Sequence, residues 1–127
     1  MITHVTCAII EKESCVLAVQ RSKKMSLPLK WEFPGGKIEK GETEEECVIR
    51  EIKEELNLDI EVSKRLNSST FDYPNFSIQL IPFLAKQTGG QLMLNEHSGY
   101  KYLKKDELLN LDWARADIPI VEQYLCL

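Results

Sequence analysis

Three glutamates, Glu51, Glu54 and Glu55, stand at i, i+3 and i+4 in the segment Arg50-Glu51-Ile52-Lys53-Glu54-Glu55-Leu56. On a helix turning about 100° per residue they fall within one narrow arc. Like charges at such neighbouring positions repel, and clustered oxygen ligands are what hard divalent cations accept. The arc predicts a Mg²⁺ site, with Mn²⁺ as a substitute. Arg50 lies four residues before Glu54 and four after Glu46, in reach of ion pairs that would orient the cluster. Such pairs are weak at a surface, so a purely structural reading of Arg50 stands beside a catalytic one. Glu42, upstream, is read as serving the turn and the support of the ligands more than the metal.

An element must hold that arc. Thr43 and Glu46 form a T-x-x-E capping box, which predicts a helix starting at Thr43, and Asn57 is a left-handed stop after Leu56. Val48, Ile49, Ile52 and Leu56 make an apolar stripe beside the acids, read as core that attaches the helix to a sheet. Before it, Ile2 to Ile10 and Cys15 to Gln20 read as a hairpin across Glu11-Lys12-Glu13-Ser14. Arg21 to Lys30, basic and broken by Pro28, reads as a loop over the site, and Trp31 to Phe33 as a brief strand. After it come strands at Ile60 to Leu66, Thr70 to Tyr73 and Phe76 to Lys86, where Pro82 predicts an edge or a bulge. Gly89-Gly90 reads as a turn, Tyr100 to Leu103 as a short strand, and Ile118 to Leu125 as a terminal helix with Asp117 as N-cap and Pro119 in its first turn.

At 127 residues the chain suits one domain, spanning 1–127, with no repeat, low-complexity stretch or linker. Its net charge of −4 is uneven: ten acidic and three basic residues lie between Glu39 and Glu61, leaving the remainder at +3. An acidic chain of this kind is a poor match for a nucleic-acid polymer, although basic residues outside the helix suit the phosphates of a small ligand. The four cysteines form no C-x-x-C pair, which reads as a reduced protein. With no long apolar segment and no cleavable signal at the start, the expectation is a cytoplasmic protein without membrane attachment.

The stretch from Gly36 to Leu58 resembles the Nudix box, G-x5-E-x7-R-E-U-x-E-E-x-G-U with U aliphatic, matching every fixed position but the last glycine, here Asn57. Trp31-Glu32-Phe33-Pro34-Gly35-Gly36-Lys37 extends the likeness toward the MutT-like branch that hydrolyses nucleoside triphosphates. The resemblance implies an α/β (α+β) Nudix fold, a mixed β-sheet sandwiched between α-helices. It implies Glu51, Glu54 and Glu55 as metal ligands, joined by the carbonyl of Gly35 or Gly36, with Glu51 a ligand or a base for water. Glu96, six residues before Tyr102, resembles the Glu-to-Trp spacing of MutT-like relatives, in which that glutamate helps with metal or water. His97 and His4 receive no role.

Arg21 and Lys37 are either the phosphate contacts or plain surface charges. The run Leu111-Asp112-Trp113-Ala114-Arg115-Ala116-Asp117-Ile118-Pro119 resembles the substrate-reading end of nucleotide-pool Nudix enzymes, so Asp117 either reads a base edge or caps the last helix. Phe33 and Phe76 are stacking walls or core. The expected activity is Mg²⁺-dependent hydrolysis of (deoxy)nucleoside triphosphates to monophosphate and pyrophosphate, with oxidised dNTPs such as 8-oxo-dGTP leading and CTP, dCTP or modified pyrimidines as the alternative. ADP-ribose, NADH and dinucleoside polyphosphates rank lower, and a nucleotide-sensing Nudix domain without turnover is the contrasting class. Its partner would be a small nucleotide, and its state a monomer or homodimer.

Overall fold

A computed structural model describes all 127 residues as eight strands and two α-helices. β1 (Ile2–Lys12) and β2 (Cys15–Gln20) form the expected hairpin, with β1 extended to Lys12 and the turn reduced to Glu13 and Ser14. Both turn residues take positive φ, 51° and 67°, the geometry that matches a two-residue connection to strand twist. β3 (Trp31–Glu32) and β4 (Gly35–Lys37) follow the basic loop. α1 (Glu44–Leu56) leads to β5 (Leu58–Arg65), β6 (Ser69–Tyr73), β7 (Phe76–Gly90) and β8 (Gly99–Leu103). α2 (Ile118–Leu125) ends the fold.

The sheet runs β3-β2-β1-β7-β5, with β4 on β1, β6 on β7 and β8 on β2. β1 and β7 are parallel over ten pairs, from Ile2–Ser77 to Glu11–Lys86, and the other pairings are antiparallel. Alternation along β1 divides the core. Ala8 and Ile10 meet Val48, Ile52 and Leu56 of α1, whereas Cys7 and Ile9 share the opposite core with Ile120, Val121 and Tyr124 of α2. The mixed sheet is therefore sandwiched between helices.

Helix α1 bears out its local signals. Thr43 Oγ1 accepts the Glu46 N–H at 3.1 Å, Glu46 accepts the Thr43 N–H at 2.8 Å, and Asn57 is left-handed at φ 57°. Asn57 also donates through its side chain to the Gln91 carbonyl at 3.1 Å, a tie that glycine could not make. Three expectations need correction. Ile49 is 39% exposed, and Cys47 takes the buried place assigned to it, because the stripe follows the sheet and not the hydrophobicity of each residue. Gly89 and Gly90 are no turn but the end of β7, paired with Asp59 and Leu58. Gly90 has φ 87°, and a Cβ there would press on the backbone of Asn57 and Leu58. Pro82 lies on no edge: β7 is interior, and Pro82 sits in the gap where β5 has ended at Arg65 and β6 begins at Ser69, its carbonyl accepting the Leu66 N–H. The missing proline N–H faces that gap, where the ladder requires no donor.

Candidate active site

Arg50 is the hub of the acidic helix face. Its five donors are all engaged: Nε and Nη2 hold Glu42 at 2.9 and 2.7 Å, Nη1 holds Glu51 at 2.8 Å and Glu54 at 3.2 Å, and Nη2 reaches the Lys37 carbonyl at 3.2 Å. The expected partner Glu46 is absent from this set because the capping box already uses its carboxyl. Glu42 also accepts the Glu39 N–H at 2.8 Å, closing the turn before the helix. The Arg50 fork, with that N–H, holds the Glu42 carboxyl down to about 2. Arg50 itself is pushed further above its usual range by Glu42.

The carboxylates differ in setting. Glu54 is exposed, with 59% of its side chain open, whereas the Glu55 side chain is only 12% open. Burial, then the adjoining Glu51 carboxyl and the charges of Glu96 and Glu32, raise Glu55 far above the carboxylate range, to about 9. No three of these side chains already converge as a closed cage, since Arg50 draws Glu51 and Glu54 toward itself. The donor set nevertheless fits a hard cation. It is all oxygen, its acids crowd one another, and the backbone beside it has been cleared of a side chain. A Cβ on Gly36 would fall on the Glu51 carboxyl and 2.8 Å from Glu51 Cγ.

The two glycines do different things. Gly35 and Gly36 pair with Cys7 and Thr6 of β1. A Cβ on Gly35 would strike the Thr6 carbonyl and lie 2.6 Å from Cys7 Cα, so Gly35 serves the close approach of two backbones. Bonds from Ala8 N–H to the Pro34 carbonyl and from Ile38 N–H to the His4 carbonyl place residues 34, 36 and 38 in the ladder. Carbonyls alternate along a strand, so that of Gly35 faces away from β1, on the side where the Lys37 carbonyl meets Arg50. We expect Gly35→Ala to lower the melting temperature sharply. Gly36→Ala should keep its far-UV spectrum yet lose about tenfold or more in divalent-metal affinity, through the displaced Glu51. Equal damage to fold and metal binding in both variants would contradict this division.

A cleft of about 570 Å³ opens between these acids and the C-terminal segment. It is lined by acidic and glycine residues, Glu32, Glu55, Glu96, Gly35 and Gly36, by Lys37, and by Phe33, Tyr73, Phe76, Ile78, Leu80 and Asp117. Its volume is that of a small-ligand site. Lys37 is exposed, and its ammonium pairs with no carboxylate. Arg21, expected to meet phosphate, lines the cleft but is already committed: Nε donates to the Ser26 carbonyl at 2.6 Å, Nη2 to Ser26 Oγ at 3.1 Å and Nη1 to Glu32 at 2.8 Å. It clamps the loop of residues 21–30, whose Met25, Ser26 and Leu27 overhang the cleft as the sequence suggests. Glu51 and Glu54 lie behind Glu55, outside the cleft lining.

Asp117 holds the expected N-cap position of α2 but does not cap the helix with its side chain. A 3₁₀ turn at Arg115–Asp117 runs straight into the helix, so Asp117 has helical angles, φ −81° and ψ −21°, and its side chain makes no cap bond. Instead Oδ2 accepts the Phe33 N–H at 2.9 Å, across 84 residues of sequence. The segment is held there by Trp31, whose N–H donates to the Asp112 carbonyl and whose carbonyl accepts the Ala114 N–H. Burial, and next the charge of Glu32, push the Asp117 carboxyl well up. Phe33 is core, 3% exposed and packed on Trp113 at 4.8 Å between centroids. Phe76 is the open aromatic wall, 41% exposed and stacked on Tyr73 at 4.9 Å.

Glu96 arrives on the segment joining β7 to β8. That segment is fastened to the carbonyls left free at the end of α1: Met93 N–H donates to Leu56, Asn95 N–H to Glu55, and Asn95 Nδ2 to Glu54 at 2.6 Å. Tyr102, the partner in its spacing, points elsewhere, with its hydroxyl on Gln87 at 2.6 Å. Sequence reasoning left out two groups. Glu32 bridges Arg21 and His97, and His97 is buried between Glu32 and Glu55. Glu32 lay within the Trp31–Lys37 likeness, and His97 beside Glu96, but nothing in their spacing brings them together. His4, on Gln79 at 2.7 Å, lies outside the cleft lining.

The NUDIX domain family profile matches residues 2–124, and the chain belongs to that family. The fold and acidic helix are thus those of a Nudix hydrolase, and its relatives set it in the MutT-like branch. It is 31% identical over 124 residues to a CTP pyrophosphohydrolase of Escherichia coli strain K12, covering 98% of this chain and 92% of the relative. It is 34% identical over 90 residues to an 8-oxo-dGTP diphosphatase of Proteus vulgaris, covering 70% and 80%. A DNA mismatch repair protein MutT of the Nudix hydrolase family, from methicillin-resistant Staphylococcus aureus 252, superposes with a TM-score of 0.80 at 40% identity, covering 99% and 97%. No helix is long and apolar enough to cross a membrane.

Proposed function

We propose that this Nudix hydrolase is a Mg²⁺-dependent nucleoside triphosphate pyrophosphohydrolase acting on oxidised purine deoxynucleotides such as 8-oxo-dGTP. The observation that carries the reading is a single cleft lined both by carboxylates, glycine backbone and Lys37 and by Asp117, Tyr73 and Phe76. Phosphates suit the first set of residues and a base the second. Glu51, Glu54 and Glu55, with the Gly35 carbonyl, would hold the cation, which when bound neutralises phosphate charge and acidifies water. Arg50 orients Glu51 and Glu54, and Lys37 meets phosphate oxygen. One of Glu51, Glu54 or Glu96 accepts the proton of the attacking water. Phe76 stacks on the base, and Asp117, whose second oxygen has no protein partner, faces the base edge.

Water adds to the β-phosphorus, and the bond from that phosphorus to the α–β bridging oxygen breaks, so the monophosphate leaves with that oxygen. Hydrolysis in ¹⁸O-water should label pyrophosphate and leave the monophosphate unlabelled. Release of a diphosphate and orthophosphate would refute this route. The second reading, a pyrimidine triphosphate substrate, is favoured by the likeness to the CTP pyrophosphohydrolase, which spans 98% of this chain. A steady-state comparison of kcat/KM across canonical and oxidised triphosphates separates the two.

Asp117→Asn tests base reading directly, because it keeps the size of the side chain but exchanges an acceptor for a donor. We expect the preferred triphosphate to lose about tenfold or more in kcat/KM relative to its competitors, as for a base-edge bond worth roughly 1 to 3 kcal/mol. An unchanged ranking with metal dependence intact would place specificity elsewhere in the cleft.

A further inference from the structure

The His97 side chain in the cleft is only 2% open, and its two nitrogens are treated unequally. Nε2 lies 2.9 Å from Glu32 Oε2, while the other Glu32 oxygen is held by Arg21 at 2.8 Å. Nδ1 lies 3.6 Å from Glu55 Oε2 and is the one buried side-chain polar atom in the protein without a hydrogen-bond partner. A buried group left unpaired is costly and calls for an explanation. The backbone carrying the ring is tied on both sides. Asn95 ties its segment to the Glu54 and Glu55 carbonyls, and Ser98 N–H donates to the Gln20 carbonyl at 2.9 Å on its other side.

From this geometry we infer that His97 is a positioning residue for Glu55: Glu32 pins the ring through Nε2, and Nδ1 fixes the Glu55 carboxyl for metal binding. One hydrogen between Nδ1 and Oε2, carried by either, closes the 3.6 Å gap with a small movement of the Glu55 side chain. The remaining Glu55 oxygen is then left for the cation. Arg21 and Glu32 thereby act on the metal end without touching the cation, and the loop of residues 21–30 is linked to Glu55 through a line of four side chains. The inference rests on the proposed metal role of Glu55.

The test uses amide side chains that mimic one imidazole nitrogen at a time. An asparagine amide occupies the place of Nδ1, and a glutamine amide that of Nε2. Mn²⁺ affinity is read by electron paramagnetic resonance of the free ion, without substrate, beside the melting temperature. We expect His97→Gln to weaken Mn²⁺ binding about tenfold or more, as for loss of a group that orients a ligand, and to lower kcat more than it changes KM. His97→Asn, which keeps an amide at the place of Nδ1 but loses the Glu32 pin, should weaken Mn²⁺ binding less than His97→Gln. In a Glu55→Gln background, His97→Gln should add nothing, since coupled residues are not additive. Unchanged Mn²⁺ affinity in folded His97→Gln, or an additive effect on Glu55→Gln, would overturn the inference while leaving the metal site intact. If His97→Gln does not fold, unchanged Mn²⁺ affinity in folded Glu32→Ala, which frees the ring, overturns it instead. Absence of Mn²⁺ binding in the unmodified protein would instead sink the metal reading itself.

Discussion

Glu54→Gln should lose most triphosphate hydrolysis, by about 10³-fold, while its melting temperature stays at or above that of the unmodified protein. The loss follows if a bound cation supplies several kcal/mol of charge stabilisation, each decade of rate corresponding to about 1.4 kcal/mol. The retained fold follows from position. Glu54 is exposed, and its contact with Arg50, at 3.2 Å, is looser than those of Glu42 and Glu51. Removing its charge also relieves repulsion along the helix face. Excess chelator should reproduce the loss in the unmodified protein, and Mg²⁺ or Mn²⁺ should restore it. Full turnover in either the variant or the chelated protein would refute the assignment of the acidic arc.

Arg50→Lys should be nearly as damaging, at about 10²-fold in kcat/KM, because lysine has three donors on a point charge and cannot reproduce a fork that holds Glu42, Glu51, Glu54 and the Lys37 carbonyl together. A 1 Å misplacement of a ligand costs on that order. The pH dependence of stability supplies a second readout. Glu42 has a depressed folded pKa, about 2, so its pairing stabilises the protein above the unfolded value of about 4.3. That contribution is lost as pH falls toward about 2. The difference in melting temperature between the unmodified protein and Arg50→Ala should therefore be largest near neutrality and shrink below pH ~4.3. A difference that stays constant into acid would show that the Glu42 pair adds no pH-dependent stability.

The helix and its acids were legible because their rules are local. A capping box spans three residues, a left-handed stop needs one, and the i, i+3, i+4 arc needs a single turn, so Thr43, Asn57, Glu51, Glu54 and Glu55 could be placed without any partner from elsewhere. The strands other than β4, which the sequence did not signal, were legible for the same reason, although not their ends. Gly89-Gly90 resembles a turn until β5 is seen lying against it, and Pro82 resembles an edge until the gap between β5 and β6 is seen beside it.

By itself, the sequence determined the family, the pattern of acids and the helix that displays it, since each is a matter of residue type at short separation. Only the tertiary structure decided what those residues meet. It brought Asp117 to the Phe33 backbone across 84 residues, His97 to Glu32 across 65, and Arg50 to Glu42 in preference to the helical neighbour Glu46. It also tied Arg21 to Ser26 and Glu32 as a loop clamp at the cleft, and left Phe76 instead of Phe33 as the open wall. Such contacts depend on which strands pair and in what register. Periodicity carries no information about register between distant segments; the burial of both sheet faces against α1 and α2 sets it.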